Sequence, residues 1–398
     1  MQKNDTFYFS AYEKGDTGTL YSYRLKDKKL NKIYKNKSVE LSRVLFNYQG
    51  IPYGVEINED YSNFLFFTKK VEHSKLHADL YQSFNGDSVY ISSSTDDGKH
   101  VVVFTMGDKN PGTYYSYNTE TNKARYLLER NDWLAKKELA TVLPYKFSAR
   151  DGLELNGYLT LPHGKEAKNL PLVVNPHGGP HGPRDYWAFD WRVQALASKG
   201  YAVLQVNFRG SGGYGKKFEK AGYLQWGGQI QHDIIDATQW AIKSGYANKE
   251  RVCIYGGSFG GYSALMSSII EPDLYKCTIG VSGVYDLPLM YADGDIPTSL
   301  WGKQYLDKVL GGDDVNLLKY SPAHQIKKLK APVLVIHGTA DLRTPISQAE
   351  SLISALEEKN HSVSKLIVDD EYHGFINEEN RLAALDKIVE FLDEHIGE

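Results

Sequence analysis

The stretch that decides the fold is RVCIYGGSFGGYSALMSSII, residues Arg251–Ile270. It begins with an apolar run of strand length, continues through the glycine-rich turn GGSFGG, and ends in an apolar segment of helical length. The turn matches G-x-S-x-G, in which small residues two positions either side of the serine let a strand and a helix approach closely. A turn this sharp holds its serine in a strained conformation with the hydroxyl exposed. The pattern therefore predicts a nucleophilic Ser258 between a buried strand and a helix.

The segments around this stretch, from residue 144 onward, alternate between apolar runs of strand length and longer helical segments. This alternation predicts an α/β domain with a mainly parallel sheet covered on both faces. Strands are predicted at Leu172–Asn175, Ala202–Asn207, Val252–Tyr255, Thr278–Val281, Val333–His337 and Lys365–Val368. Helices are predicted at Trp187–Lys199, Ile230–Ser244, Phe259–Ile270, Ile346–Glu358 and Glu378–His395, where apolar residues recur at three- and four-residue spacing.

A nucleophilic serine needs a base and an acid that orients the base. In a strand-turn-helix architecture of this kind they follow the serine in the order acid, then histidine, at the ends of later strands. Asp341 follows the strand PVLVIHG in the loop TADLRTP, and His373 follows KLIV in the loop DDEYHGF, so these two residues are predicted to complete the triad. The competing side chains are less well placed: His324, His337 and His395 among histidines, and Asp286, Asp369 and Asp370 among acids.

Backbone N–H groups are expected to bind the oxyanion that forms during acyl transfer. One donor is the N–H of Phe259, which starts the helix after the serine. The other is predicted in the loop NPHGGP, which follows the strand LVVN, with Gly179 preferred and Gly178 as the alternative. His177 of the same loop is interpreted as a structural residue.

Composition excludes several other classes of protein. The chain has 398 residues, a net charge of −3 and no block of one charge sign, so neither nucleic acid nor an anionic membrane is an expected partner. No apolar run reaches a membrane-spanning length, the start MQKNDTFYFS resembles no signal peptide, and cytoplasm is the default location. Two cysteines exclude a disulfide framework and a cysteine-rich zinc site. A near match to a phosphate-binding loop at residues 210–217 lacks the final hydroxyl residue, so no metal or other cofactor is predicted.

In the first third of the chain the apolar residues are spaced differently from those of the α/β region. Short alternating runs rich in aromatic and β-branched residues predict an all-β region, residues 1–135, ahead of a hydrolase-like domain at 136–398. Thr19–Lys35 aligns with Thr113–Glu129 at an offset of 94 residues, which predicts blades of a β-propeller about 47 residues long if one more unit lies between. An ordinary β-meander is the alternative. The charged segment Arg130–Leu143 is interpreted as a connector of helical tendency.

Taken together, HGGPHGP, NFRGSGGYGKKF, GGSFGGYSALM, HGTADLRTPISQA and EYHGF resemble the prolyl oligopeptidase family of serine peptidases, most closely its acylaminoacyl-peptidase-like branch. The resemblance covers residue 144 to the C-terminus. It implies an α/β-hydrolase domain preceded by a β-propeller, with the same triad and oxyanion hole. It also implies that Arg343 contacts the substrate. The chain departs from the prolyl and dipeptidyl branches, in which a tyrosine hydroxyl near this loop is a donor, because His177 heads the motif here.

Substrate preference is predicted only from placement. In hydrolases of this fold the loop after the strand that follows the nucleophile helix builds the first specificity pocket. Here that loop is GVYDLPLMYADG, so Val284, Tyr285 and Leu289 are predicted to line an apolar pocket, with Trp301 a weaker candidate. Cleavage after apolar residues is the resulting prediction.

The leading hypothesis for function is a serine peptidase that hydrolyses short peptides through an acyl-enzyme. A carboxylesterase with the same triad is the alternative, and a β-propeller interaction module on an inert scaffold is the third hypothesis. About 140 residues precede the hydrolase domain, whereas four propeller blades need roughly 160–180. At most three blades fit, so a missing N-terminal propeller segment, or partner subunits in a homo-oligomer, would cover the exposed sheet edges.

Overall fold

The computed structural model of the chain describes residues 5–13, 15–67, 72–84, 86–134 and 138–397. The chain divides into two compact units. The first comprises residues Met1–Lys137 with two short segments, Tyr186–Asp190 and Gly212–Glu219. The second comprises Glu138–Asp185, Trp191–Ser211 and Lys220–Glu398. The predicted domain boundary after residue 135 falls at the edge of residues 135–137, which lie outside the described part.

Three antiparallel sheets hold the strands that the structure describes in the first unit. The first sheet has the order β1-β2-β3, with strands Thr6–Ala11, Thr19–Arg24 and Lys29–Lys35. The second has the order β4-β5-β6, with Leu41–Phe46, Pro52–Asn58 and Ser62–Phe66. The third has the order β10-β9-β8-β7, formed by Ser88–Ser94 (β7), His100–Met106 (β8), Thr113–Asn118 (β9) and Lys123–Glu129 (β10). Small separate sheets of this kind agree with the predicted propeller-like region of about three blades.

A helix, α1 (Glu72–Ser83), interrupts this first unit, so the prediction of exclusively β structure is wrong there. Its sequence contains no β-branched residue, and Leu76 and Leu80 recur one turn apart, which favours an amphipathic helix. Leu80 packs against Val89, Val101 and Val103 of the third sheet. The aligned segments form the hairpins β2-β3 and β9-β10, but the residues halfway between them lie largely in α1. The 47-residue spacing therefore does not mark a middle hairpin.

The second unit is built around one eight-stranded sheet of order β11-β12-β14-β13-β15-β16-β17-β18. Strands β13 to β18 pair in parallel, and β11 and β12 add two antiparallel strands at one edge. The sheet confirms the predicted mainly parallel α/β-hydrolase fold. The strands are Thr141–Ser148, Glu154–Leu161, Leu170–Val174, Ala202–Asn207, Ala247–Gly257, Cys277–Val281, Val333–Gly338 and Val363–Val368, numbered β11 to β18 in chain order.

Helices connect these strands. In chain order α2 to α10 are Trp191–Ser198, Lys216–Lys220 (α3, divided between the two units), Gln229–Lys243, Phe259–Ile270, Leu289–Ala292, Leu300–Leu310, Asp314–Lys319, Ile346–Glu358 and Glu378–Ile396. Among the helices that the structure describes, none is long and apolar enough to cross a membrane.

The core of the second unit lies on the sheet. Because side chains alternate along a strand, Cys253 and Tyr255 face the same side, where they pack with α2 and α10. The helical residues of this cluster are Val193, Leu196, Ala384, Ile388, Phe391, Leu392 and Ile396. Cys253 lies opposite Cys277 on the neighbouring strand and is bonded to it as a disulfide. Helices α4 and α5 pack against each other and against β15.

The predicted strands and helices of the hydrolase domain are all present, with ends shifted by a few residues. The predicted helix Trp187–Lys199 is shorter than expected, because α2 begins only at Trp191. The segment Arg130–Leu143 does not form the expected helical connector in its described residues, since β11 begins at Thr141. Strands β11 and β12, α3 and the short helices α6 to α8 were not predicted.

Candidate active site

Ser258 lies at the junction of β15 and α5, as the sequence predicts. Its backbone has φ 57° and ψ −123°, a left-handed conformation that is costly for a residue with a side chain. Its N–H donates to the carbonyl of Val281 at the end of β16, with an N···O distance of 2.9 Å. The side chain is half-buried, and the residue directly precedes the N-terminus of α5. A negative charge developing on a group bound to Ser258 would therefore lie near the positive end of the helix dipole.

The glycines of the turn explain why the chain can form it. A Cβ atom at Gly256 would collide with the carbonyl group of Gly260, and one at Gly260 would collide with the carbonyl oxygen of Pro176. At Gly257, by contrast, the nearest atom to an added Cβ is the Val281 oxygen at 3.7 Å. The two motif glycines are thus required by the close approach of strand, helix and the NPHGGP loop, whereas Gly257 is not.

Asp341 and His373 are brought together by the loops after β17 and β18. His373 Nδ1 lies 2.8 Å from Asp341 Oδ2. Asp341 Oδ1 accepts the backbone N–H groups of Arg343 and Thr344, both at 2.9 Å. The Thr344 hydroxyl lies 2.9 Å from Asp341 Oδ2 and 3.2 Å from His373 Nδ1. His373 thus uses Nδ1 toward the acid, which leaves Nε2 as the nitrogen that can exchange a proton with a substrate or nucleophile.

The carboxylate of Asp341 is held in its charged form. Its burial acts to raise the pKa, but the hydrogen bonds from His373 and Thr344 favour the anion and hold the pKa below its ordinary value. An anionic acceptor fixes the proton of the imidazole on Nδ1. In the neutral imidazole Nε2 is then the nitrogen without a proton, as a general base requires.

Of the competing acids and histidines, Asp286, His324 and His337 have other partners. His324 Nε2 lies 3.2 Å from Asp286 Oδ2, and the nearby Ser351 hydroxyl donates to the same carboxylate oxygen at 2.8 Å. This serine therefore bonds to the acid and not to the histidine, so the three residues do not form a triad. His337 is fully buried, and its Nε2 bonds to the Thr344 carbonyl at 2.6 Å. Burial lowers the pKa of His337.

The NPHGGP loop lies beside the nucleophile. A Cβ atom at Gly178 would lie 3.3 Å from the Gly257 carbonyl oxygen and 3.4 Å from Ser258 Cβ, so the loop packs closely against the nucleophile. His177 Nδ1 lies 2.7 Å from the Gly178 carbonyl oxygen, and its Nε2 lies 2.7 Å from the hydroxyl of Ser211. Burial lowers the pKa of His177 to about 4, so the ring is neutral at physiological pH. Because a carbonyl only accepts, Nδ1 carries the proton and Nε2 accepts from Ser211.

This bond also orients the next peptide group. The Gly178 carbonyl and the Gly179 N–H belong to one trans peptide unit and point in opposite directions. With the carbonyl turned toward the imidazole of His177, the Gly179 N–H points away from it. The hydrogen bond to the Gly178 carbonyl thus explains how His177 could shape this loop, as the sequence analysis predicts. The donor roles of Gly179 and of Phe259, whose backbone starts α5, stay predictions.

Arg343, the candidate for substrate contact, is engaged by an acid. Its guanidinium makes a two-pronged contact with Asp295, with Nε and Nη2 both within 3.0 Å of the carboxylate oxygens. Both side chains stay about half exposed. The Asp295 N–H also donates to the carbonyl of Leu342, so this segment is tied to the acid loop through backbone and side chain.

The predicted specificity residues lie deeper than expected. Val284 and Tyr285 are almost fully buried, and the Tyr285 ring covers Gly280 and Gly283, where no Cβ would fit. Of the other two candidates, Leu289 is half-buried and Trp301 is exposed. Contact of these residues with a substrate stays a prediction. The same loop contributes Leu287 to a cavity of about 290 Å³, whose walls include Leu224, Trp226, Val309, Leu317 and Tyr320.

Two residues of this site were missed from the sequence. Thr344 lies three residues after Asp341, and an aspartate in a loop commonly accepts hydrogen bonds from groups a few positions further along the chain, which is the one local signal for it. Glu371, two residues before His373, is buried and accepts the backbone N–H groups of Ile376 and Asn377 at 2.8 and 2.9 Å. It thereby connects the histidine loop to the start of α10.

Known proteins resemble the chain along most of its length. Residues 187–398 match the Prolyl oligopeptidase family. The dipeptidyl aminopeptidase BIII of Pseudoxanthomonas mexicana is 33% identical over 330 residues, which cover 79% of this chain and 47% of that protein. The acylamino-acid-releasing enzyme of Arabidopsis thaliana is 31% identical over 223 residues, covering 54% of this chain and 29% of that protein.

The fold has a close counterpart among solved structures. A puromycin-hydrolysing peptidase of Mycobacterium tuberculosis superposes with a TM-score of 0.81 at 22% identity, over 99% of this chain and 60% of that one. The fold and site define an α/β-hydrolase domain preceded by propeller-like β-sheets. The chain belongs to the prolyl oligopeptidase family. It spans about half the length of the first of the curated relatives described above.

Proposed function

We propose that the chain carries the catalytic machinery of a serine peptidase that hydrolyses short peptides. Ser258 attacks the carbonyl carbon of the scissile bond while His373 Nε2 takes the hydroxyl proton. The same imidazolium then protonates the leaving amine, and the C–N bond breaks to leave an acyl ester on Ser258. Water, activated by His373, attacks this ester in the second half of the reaction, and the proton returns to the serine oxygen.

The observation that carries the proposal is the hydrogen bond between His373 Nδ1 and Asp341 Oδ2. It gives the imidazole the tautomer and orientation that a general base needs, and an anionic Asp341 stabilises the imidazolium that forms in each half-reaction. The strained backbone of Ser258 supports the same assignment, since such strain is typical of functional serines at strand-to-helix turns.

The N–H groups of Phe259 and Gly179 complete the proposal as donors to the oxyanion. Removal of one such donor typically slows acyl transfer by about 100- to 1,000-fold. Arg343 is proposed to contact the peptide. Val284 and Tyr285 are proposed to form the base of an apolar pocket that binds a side chain of the peptide. The names of the two relatives, a dipeptidyl aminopeptidase and an acylamino-acid-releasing enzyme, favour peptides over simple esters as substrates.

A fluorophosphonate probe tests the assignment without knowledge of the substrate, because it reacts only with an activated serine. We expect the wild type to be labelled and Ser258→Ala to be unlabelled. Ser198→Ala, which removes an exposed hydroxyl bonded to the Ala195 carbonyl on α2, is the matched control and should be labelled like the wild type. Labelling of Ser258→Ala would reject Ser258 as the nucleophile, and an unlabelled wild type would leave the inert scaffold.

A second measurement separates peptidase from carboxylesterase. Rates are compared on N-acylated and free-amino peptide anilides with apolar P1 residues, and on short-chain p-nitrophenyl esters. Hydrolysis of the anilides that disappears in Ser258→Ala supports the peptidase. Turnover of esters alone would favour the carboxylesterase.

The remaining assignments belong to the same proposal. We propose the cytoplasm as the default location and peptides as the binding partners. No role for nucleic acid or an anionic membrane is proposed, because the net charge of −3 comes without a basic patch in the sequence. Association into a homo-oligomer, or further propeller strands, would protect the sheet edges of the first unit.

A further inference from the structure

The end of strand β16 contacts both halves of the candidate active site. The carbonyl of Val281 accepts the N–H of Ser258 at 2.9 Å, which holds the nucleophile. The next carbonyl, that of Ser282, accepts the hydroxyl of Thr344 at 2.9 Å, which lies in the loop of the acid. Ser282 itself has φ 46°, and its N–H donates to Ile336 on β17 at 2.8 Å. Two consecutive peptide groups thus support the serine on one side and the acid loop on the other.

Thr344 is the residue that completes this link. Its side chain is almost fully buried, and its single hydroxyl lies within hydrogen-bond distance of three groups: Ser282 O, Asp341 Oδ2 and His373 Nδ1. The Ser282 carbonyl and the ionised carboxylate of Asp341 can only accept. The hydroxyl proton is therefore shared between these two acceptors, while the N–H of His373 is directed at Asp341 Oδ2 and passes close to the hydroxyl oxygen.

The Thr344 hydroxyl has a nearby competitor for Asp341 Oδ2, the Nε2 of His337, which lies 3.7 Å away and bonds to the Thr344 carbonyl at 2.6 Å instead. Asp341 Oδ1 is held by two backbone N–H groups, but for Oδ2 the only hydrogen-bond donors among the described residues are His373 and Thr344. Without the Thr344 hydroxyl, His373 would be the one remaining hydrogen-bond donor to Asp341 Oδ2 among the described residues. The oxygen that orients His373 would then be held by His373 alone. The Ser282 carbonyl would in addition lose its buried donor, next to the Val281 carbonyl that accepts the Ser258 N–H.

We propose that Thr344 is a positioning residue, whose hydroxyl connects the serine and the acid–histidine pair through Ser282 and keeps them aligned during acylation. This inference rests on the proposed function, because alignment matters only if Ser258 and His373 react together. Thr344 touches neither substrate nor the reacting atoms, so its effect should appear in the rate of the chemical step and not in binding.

The test is the kinetics of fluorophosphonate inactivation, separated into a maximal rate constant and an apparent binding constant. Thr344→Val has nearly the same shape and no hydroxyl, and we expect its maximal rate to fall about tenfold or more with the binding constant little changed. Thr344→Ser restores the hydroxyl and should recover most of that rate. Thr344→Ala replaces the valine variant if the latter does not fold.

Thr238→Val is the matched control for loss of a buried threonine hydroxyl. Thr238 is fully buried on α4, a helix that packs on α5, β14 and β15, and its hydroxyl lies 2.9 Å from the Ile234 carbonyl and 3.1 Å from the Tyr275 hydroxyl. It should lower the unfolding temperature in the way that Thr344→Val does, yet leave the inactivation rate unchanged.

The outcomes separate the two proposals. A wild type that is not labelled at Ser258 rejects the proposed function. A labelled wild type with Thr344→Val reacting at the same rate overturns the role of Thr344 and leaves the function intact. The inference also fails if Thr344→Ser is as slow as Thr344→Val, or if Thr238→Val loses as much rate.

Discussion

His177 donates its Nδ1 proton to the carbonyl oxygen of the residue that follows it, Gly178, over 2.7 Å. The bond fixes the plane of the peptide whose N–H belongs to Gly179, and Ser211 fixes the other side of the ring. We therefore expect His177→Ala to slow acylation by roughly 10- to 100-fold, less than the loss of an oxyanion donor itself. Fluorophosphonate inactivation and anilide hydrolysis measure the effect.

Two further variants test whether the bond from His177 to Gly178 causes the effect. Ser211→Ala leaves the Gly178 bond in place and should slow the reaction less than His177→Ala does. His163→Ala, in an exposed turn after β12, serves as control and should react like the wild type. A His177→Ala enzyme with full rate would mean that the imidazole does not hold the loop in its active form.

The glycines of the nucleophile turn should differ in their tolerance of alanine. Gly256→Ala would place a methyl group against the Gly260 carbonyl, so we expect poor yields of folded protein or a loss of several kcal/mol in the free energy of unfolding. Gly257→Ala meets no atom closer than 3.7 Å and should fold with a near-normal unfolding temperature. Equal unfolding temperatures of the two variants would contradict the close contact between Gly256 and the Gly260 carbonyl.

Glu371 should make stability depend on pH in the acid range. Burial acts to raise the pKa of its carboxyl, but hydrogen bonds from Asn380 and from the N–H groups of Ile376, Asn377 and Tyr372 hold the pKa below its ordinary value. The folded state therefore binds fewer protons than the unfolded chain around pH 4. The stabilisation is present at neutral pH and is lost as the pH falls through the folded pKa.

Glu371→Gln is the variant that isolates this contribution. We expect it to lower the free energy of unfolding by about 1–3 kcal/mol at pH 7, and the difference from the wild type to shrink as the pH falls below about 4. Urea unfolding at several pH values measures both. Glu357→Gln, whose ion pair with Lys365 is exposed, should change stability by less than about 1 kcal/mol. If Glu371→Gln lowered the free energy of unfolding by the same amount at every pH, the prediction would be wrong.

Substitution of Arg343 or Asp295 should weaken peptide binding. If the guanidinium contacts the substrate while Asp295 holds it, Arg343→Gln raises the KM for peptide anilides several-fold, and Asp295→Asn raises it less. Fluorophosphonate inactivation, which involves no peptide, should change little in either variant. Because the pair is exposed, the unfolding free energy should move by no more than about 1 kcal/mol. A fall in kcat with an unchanged KM would argue against substrate contact.

The residues proposed as the triad were predictable because each follows a strand of a parallel sheet. The carboxyl ends of such strands meet at one edge, so Ser258, Asp341 and His373 could be selected from their positions after apolar runs. The turn glycines were predictable for the same kind of local reason, since strand and helix are adjacent in the chain.

Thr344 and Glu371 were not predictable in this way. The Thr344 hydroxyl bonds to Ser282, 62 positions earlier in the chain, and nothing in the loop TADLRTP specifies that partner. The role of Glu371 depends on the path of the chain into α10. Likewise α1 lies among strands whose aromatic alternation dominates the local pattern, and its helical spacing is visible only over three turns.

The shared support at the end of β16 has a consequence for how the molecule can vary. Val281 and Ser282 are consecutive, so a shift of this strand end would move the acceptor of the Ser258 N–H and the acceptor of the Thr344 hydroxyl together. The segment that follows, from residue 283 onward, leaves the sheet immediately after this point. Gly283, Val284 and Tyr285 are tightly packed, so sequence variation that leaves the two acceptor carbonyls in place is expected only where the segment becomes less buried, from Pro288 onward.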